Sequence, residues 1–217
     1  MAERWATFDC YGTLVDWNGG IRAELARLFG SEHADRLLAR YHELEPEIQV
    51  AEPSYRGVFT IALERLAQEE SLTLPTGEAN ALARSLPSWP VFGDVPAALA
   101  EVRDRGWKLG ILSNTDRDLI DASMVAIGIA FQSVIVASEI GSYKPAKRHW
   151  EVFRKQTATN DVKHVHVAQS LYHDIEPASE LGILSIWVNR LGEPADGRPR
   201  KTLSSLTGLA DALDEIV

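Results

Sequence analysis

RWATFDCYGT, residues 4–13, reads as a short buried strand that ends on an acid, Asp9, and runs into a tight turn that Gly12 permits. In an open α/β sheet, ligands sit outside the carboxyl ends of the parallel strands. This first strand therefore nominates a site, provided that a sheet follows. Immediately downstream none does: between residues 15 and 90 the apolar spacing is helical. Ile21, Leu25, Leu28 and Phe29 share one face. After a break near Gly30, Leu37, Leu38, Tyr41 and Leu44 share the next. Val58, Ile61, Ala62 and Leu66 mark a third helix over 55–70, and a weaker fourth covers 77–86. SLPSWPVFGDVP (85–96), with three prolines and a glycine, reads as a linker.

Beyond it the pattern alternates. Strands are expected at KLGILSN (108–114), SVIVAS (133–138), HVHVAQS (164–170) and LSIWVN (184–189). Helices over 95–105, 117–127, 146–157 and 174–181 separate them, and a last one covers 207–216. Strands alternating with helices of this length imply a parallel sheet with right-handed crossovers. The expected fold is α/β: a doubly wound, Rossmann-like parallel-sheet core formed by 1–14 and 91–217, with an all-helical cap domain inserted over 15–90.

Bulk properties bound the function. The chain has 217 residues and a formal net charge of −9, which argues against a general affinity for nucleic acid or an anionic membrane. A lone cysteine, Cys10, excludes an intrachain disulfide and suits a reducing cytoplasm. The stretch MAERWATFD carries no apolar segment of a signal peptide, and no apolar run approaches the ~20 residues of a membrane span.

Four polar clusters follow successive expected strands: Asp9–Thr13 (DCYGT), Ser113–Asn114, Tyr143–Lys144 and Ser170–Asp174 (SLYHD). Strand ends of one parallel sheet converge on one edge, so these distant residues should form one site around a carboxylate nucleophile. Each has a plainer alternative. Asp9 can cap its turn, Lys144 can be a surface lysine, and Asp174 can N-cap the helix at 174–181. Asn114 can cap the helix near Asp116. Cys10 reads as a small buried residue rather than a second nucleophile. His164 and His166 share one strand face and should meet a helix layer. Arg198–Lys201 (RPRK) reads as a solvated loop.

The clusters resemble the four motifs of the haloacid dehalogenase superfamily. FDCYGTLVDW is similar to the first, ILSN to the second, SYKP to the third and VAQSLYHDIEPASELG to the fourth. The resemblance implies that Asp9 is a covalent nucleophile. Phosphatases of this superfamily carry a second Asp two positions later, where Tyr11 stands here; a phenol of pKa ~10 is a poor acid near neutrality. Their Mg²⁺-holding acidic pair maps to Gln169 and Asp174, and a hard cation loses one anionic oxygen ligand to Gln169. The branch that fits is the type II, L-2-haloacid dehalogenases. It implies no metal or cofactor, a small anionic substrate such as a short 2-haloalkanoic acid or haloacetate, and an ester on Asp9.

By the same resemblance Lys144 neutralises Asp9 and Thr13 aligns it. Asp174 activates water or orients Lys144. Ser113 and the backbone at Cys10 and Tyr11 hold the substrate carboxylate. Arg40, in ARYHELEPEIQ, and Asn114 cradle the halide. His173 departs from the relatives' pattern; as an imidazole it is expected to bind a substrate group or act as a base. Trp150 replaces a tyrosine of many relatives, and the fourth motif is poorer in Ser and Asn than theirs. A Mg²⁺-dependent phosphatase and a catalytically silent binding protein of this fold stay open as alternatives. Related dehalogenases often pair, which makes a homodimer an expectation.

Overall fold

In a computed structural model of the protein, residues 3–158, 163–194 and 197–217 are described. The ends of the expected core span at residues 1–2, and the positions 159–162 and 195–196, lie outside them. Six strands form one all-parallel sheet in the order β3-β2-β1-β4-β5-β6. They are β1 (Arg4–Phe8), β2 (Trp107–Ser113), β3 (Ser133–Val136), β4 (His164–Ala168), β5 (Leu184–Val188) and β6 (Lys201–Leu203). Phe8 is in register with Ile111 on one side and Val167 on the other. The chain moves outward one way from β1 through β2 to β3, and the other way through β4 to β6. The tips of β1 and β4 therefore flank the point where strand order reverses, where such sheets bind ligands.

β6 corrects the reading of RPRK as a plain surface loop: the chain passes from it into a sixth strand, with Lys201 opposite Ile186. Three half-buried or exposed residues are too few to show a period.

Helices α1 (Trp17–Phe29), α2 (Ser31–Gln49), α3 (Tyr55–Glu69) and α4 (Ala81–Ser85) follow β1; we refer to them as the cap. Asp16 starts α1 by accepting the Gly19 amide at 2.9 Å, and Gly30, at φ 98°, ends it. The linker reading of 85–96 needs correction. Trp89 in that stretch is buried against Gly20, where a Cβ would lie 2.2 Å from the indole, and Val91 bridges to Val15. A large aromatic recovers more by burial than the surrounding prolines lose. Trp17, Tyr41, Tyr55, Phe59 and Trp89 form an aromatic cluster continuous with the apolar face of the sheet.

α5 (Val95–Asp104), α6 (Arg117–Ile127), α7 (Ala137–Ile140), α8 (Arg148–Thr157), α9 (Glu176–Glu180) and α10 (Leu209–Ile216) complete the core. Asp116, just before α6, accepts the Tyr55 and Arg56 amides at 2.9 Å each. It thereby satisfies free donors at the start of α3 and ties cap to core. The expected helix at 174–181 begins instead with a wide π turn, Leu171–Ile175, capped by Ser170. Asp174 is therefore no N-cap; the turn rolls it inward to 1% exposure. Among the described residues no helix is long and apolar enough to cross a membrane.

Candidate active site

β1 ends on Phe8, so Asp9 leaves the sheet at its carboxyl edge. Gly12, at φ 88°, turns the chain tightly there, and a Cβ on it would sit 3.2 Å from Gln169 Oε1. The turn is closed by the amides of Gly12, Leu14 and Val15; those of Cys10 and Tyr11 take no part in it. Thr13 Oγ1 donates to Asp9 Oδ2 at 2.9 Å and accepts the Gln169 amide at 2.9 Å, which locks the first and fourth motifs together.

Lys144 reaches the same carboxylate from the loop before α8. Its Nζ donates to Asp9 Oδ1 at 2.9 Å, to Asp174 Oδ1 at 2.6 Å and to the Leu112 carbonyl at 2.9 Å. An ammonium has three N–H bonds, and all are spent. Asn114 clamps the lysine's own peptide: its Nδ2 donates to Lys144 O at 3.0 Å, and Lys144 N donates to its Oδ1 at 2.6 Å. Asn114 therefore does not cap the next helix; it positions Lys144 and borders the pocket.

Behind Asp174 lies a relay that the sequence did not disclose. His166 Nε2 donates to Asp174 Oδ1 at 2.9 Å. The Thr7 hydroxyl donates to His166 Nδ1 at 2.9 Å and accepts from His164 Nε2 at 2.7 Å. All three side chains are buried. Both histidines also meet the helix layer as expected, with ring centroids 5.3 Å apart for His166 and Trp150 and 4.6 Å for His164 and Phe153.

Charge follows from this wiring. One ammonium serves two carboxylates. Burial would raise Asp174, but Lys144 and the His166 bond outweigh it and hold its carboxyl below the usual range. For Asp9 burial wins over Lys144, with the Asp174 charge adding to it, and the carboxyl lies above its usual value. Burial would lower Lys144, but its two partners keep it charged.

These groups open onto a cavity of about 530 Å³ between cap and core. Asp9, Tyr11, Ser113, Asn114, Lys144, His173 and Asp174 all border it. Ser113 Oγ is buried with no partner, a donor free for a ligand. Tyr11 turns its hydroxyl away, to Ser123 Oγ at 3.0 Å, and burial pushes it well above the usual phenol range. Cys10 is fully buried, and burial pushes its thiol up as well, so it is no second nucleophile. His173 hydrogen-bonds Ser170 Oγ through Nδ1 at 3.1 Å, and burial keeps it below the ordinary imidazole value.

Arg40 is the residue the structure does not bring in. It pairs with Glu69 at 2.8 Å and Glu43 at 2.7 Å on the outer side of the cap, away from the cavity. The reason is helical phase. At ~100° per residue, Arg40 and Glu45 stand roughly 140° apart on α2, on opposite flanks of its buried stripe. That stripe is Leu37, Tyr41, Leu44 and Ile48. The flank that meets the cavity carries His42 and Glu45. Arg190 also borders the cavity, but Asp94 holds its Nη2 at 2.9 Å and it stacks on Phe92 at 3.9 Å.

The donor set does not fit Mg²⁺. The gap between Asp9 and Asp174 is bridged by an ammonium, Gln169 is neutral, and no group of three metal-binding side chains assembles among the described residues. No step below runs through a metal.

The chain is thus an α/β protein whose parallel sheet carries a lysine-bridged aspartate at its switch point, under a helical cap. The protein belongs to the haloacid dehalogenase-like hydrolase family, whose model matches residues 4–181. It is 30% identical over 177 residues to a phosphoserine phosphatase of Thermus thermophilus, covering 79% of this chain and 70% of that one. It is 25% identical to an (S)-2-haloacid dehalogenase of Pseudomonas sp. strain YL, covering 85% and 82%. Its fold matches an L-2-haloacid dehalogenase of Xanthobacter autotrophicus with chloropropionic acid covalently bound, at TM-score 0.85 and 16% identity, over 100% of both chains.

Proposed function

We propose that the protein is a metal-independent hydrolase that removes halide from a short 2-haloalkanoic acid through an ester on Asp9. The observation that carries this is Tyr11. In the position where a phosphatase of this superfamily needs an acid, the hydroxyl is bound to Ser123 and turned from the site. An alkoxide leaving group needs a proton; a halide leaves without one. The core side of the pocket thus suits displacement at carbon better than cleavage of a phosphate ester.

In the first step an Asp9 oxygen attacks the halogen-bearing carbon. A C–O bond forms, the carbon–halogen bond breaks, and halide departs with the electron pair. Thr13 and Lys144 hold one carboxylate oxygen each, which fixes the attack line. Ser113 Oγ and the amides of Cys10 and Tyr11 would hold the substrate carboxylate from the core side. In the second step water adds to the Asp9 carboxyl carbon, and the ester C–O bond at that carbon breaks. The hydroxy acid leaves with an oxygen that came from Asp9, and one proton is released. Asp174, held ionised, is a weak base; its role is to anchor Lys144. His173, which burial lowers, borders the pocket, and we assign it the water proton.

The test is halide release from chloroacetate, fluoroacetate and both 2-chloropropionate enantiomers with EDTA present. Asp9→Ala should abolish it, and a single turnover in H₂¹⁸O should leave the label on Asp9 rather than on the product. Release that persists in Asp9→Ala ends the mechanism. The phosphatase reading is favoured by the Thermus relative. Mg²⁺-dependent hydrolysis of phosphoserine, with no halide released, would replace ours with it.

A further inference from the structure

The cap side of the cavity holds a polar cluster that the mechanism above leaves unused. Tyr41 and Tyr55 are buried, yet both hydroxyls point at each other, 3.3 Å apart, and Tyr55 donates onward to Glu45 Oε1. Gln49 Nε2 donates to the same oxygen at 3.0 Å. The two buried phenols and the half-buried carboxylate satisfy one another through these bonds. The wiring settles where a proton on this carboxyl must go. Oε1 already accepts two donors, so the acid proton belongs on Oε2.

The cavity has a matching deficiency. Its bordering cations are Lys144, with all three donors spent, and Arg190, committed to Asp94 and the Thr13 carbonyl. Arg40, the expected cradle, faces away. The carboxylates Asp9, Asp16, Glu45 and Asp174 border the same space. Among the described residues, an anion entering on the cap side meets no cation on the cap itself, and Arg190 on the core side offers it Nη1 alone.

We propose that Glu45 is the specificity-determining residue of this pocket: as the neutral acid it donates from Oε2 to the anionic group of the substrate, and as a carboxylate it excludes that substrate. The identity of the substrate as a short haloacid rests on the function proposed above; the role of Glu45 as a gate for small carboxylates does not. Burial, with the Asp9 charge adding to it, raises Glu45 to about 7, where a modest change of pH switches its state.

Its neighbours, Asp9 apart, are shifted away from that range or held by other partners. On α2, burial pushes Tyr41 up and His42 down. Tyr55 of α3 and Tyr143 of the loop before α8 are pushed up by burial. Across the cavity Lys144 stays charged, Asp174 stays ionised, and His173 is lowered. Asp9 is raised and Asp16 is bound to the start of α1. Arg190 is held by Asp94.

Two measurements decide. The first is KM for 2-chloropropionate between pH 6 and 8; the second is the calorimetric Kd for lactate, which needs no turnover. Both should rise about tenfold per pH unit above about 7, with kcat steady. Glu45→Gln, whose amide still donates, should bind well and lose this dependence. Tyr55→Phe removes a donor that favours the carboxylate and should move the break to higher pH, which a purely structural role would not do. A flat KM and Kd in the wild type, a break retained in Glu45→Gln, binding that tightens with pH, or no lactate binding at all each overturns the proposal. If lactate binding breaks as described but no haloacid is turned over, the Glu45 gate stands and the dehalogenase reading falls.

Discussion

At the scale of single residues, the site is governed by a count of donors. Lys144 has three and uses three, so its position is determined by where its acceptors are held. Asp174 is one of those acceptors, and His166 is the group that holds Asp174. Replacing His166 by Leu should therefore act on catalysis through two intermediaries. The loss of a hydrogen bond to a charged group, ~1.5–3 kcal/mol, corresponds to a fall in kcat of roughly 10–100-fold with KM little changed. His166→Gln, whose amide N–H reaches the place of Nε2, should restore most of it; equal losses in both variants would mean that His166 only fills space. Tyr11→Phe is the counterpart. It removes only the bond to Ser123, so halide release should stay within about twofold, whereas loss of a general acid costs ~10²–10⁴. The sequence disclosed Asp9, Thr13, Lys144 and Asp174 because each follows a strand tip in a recurring motif. It did not disclose His166, since a polar residue at an inward strand position looks like a satisfied core histidine until its partner is placed in space. Arg40 and Glu45 show the converse: both lie in one helical segment, and only helical phase against the core separates the outward residue from the inward one.

At the scale of elements, what matters is how the cap is held over the strand tips. Strands and long helices were legible from period alone, because apolar faces recur along them. Three elements were not. α7 takes Ala137 and Ser138, which the strand reading SVIVAS had claimed. β6 is three residues long, and the π turn at Leu171–Ile175 differs from the start of an ordinary helix only in a hydrogen-bond offset. The most consequential cross-link also escaped the sequence: Asp116, from the core, caps α3 of the cap through the Tyr55 and Arg56 amides. A carboxylate across two free amides at a helix start stabilises by ~1–2 kcal/mol. Asp116→Ala should cost about that much in urea unfolding. Because Tyr55 carries the Glu45 contact that favours the carboxylate, the same change should also move the break in KM to higher pH, as Tyr55→Phe does, while a surface substitution of equal cost, such as one in α10, should not. An unmoved break would mean that α3 is held by its aromatic packing alone.

At the scale of the whole molecule, the buried trio of Asp9, Lys144 and Asp174 carries one more negative charge than positive, and the fold does not share this deficit evenly. Asp174 has the lysine, the histidine and a carboxyl held low; Asp9 has a carboxyl held high. The two therefore contribute to stability with opposite sign. A carboxyl whose folded value is depressed stabilises the protein above its unfolded value, ~3.9, and that contribution is lost as pH falls through the folded value. A carboxyl whose folded value is raised loses stability for the protein as pH rises from the unfolded value to the folded one, and the full cost is present above it. At pH 7 Asp174→Asn should thus lower the melting temperature and Asp9→Asn should raise it, by ~2–4 °C for each kcal/mol in a chain of this size. At pH 3, where both Asp9 and its unfolded counterpart are largely protonated, the Asp9→Asn gain should vanish, whereas much of the Asp174→Asn loss should persist. Thermal melts of the two variants at both pH values separate this from a general loss of packing, which would lower both at either pH. In the proposed mechanism, a nucleophile left short of positive charge is destabilising at rest and reactive for the same reason: its charge is what bond formation to the substrate carbon would remove. Equal destabilisation by the two substitutions would show instead that the lysine serves both acids alike, and Asp9 would lose its claim to be the poorly compensated, and hence the attacking, carboxylate.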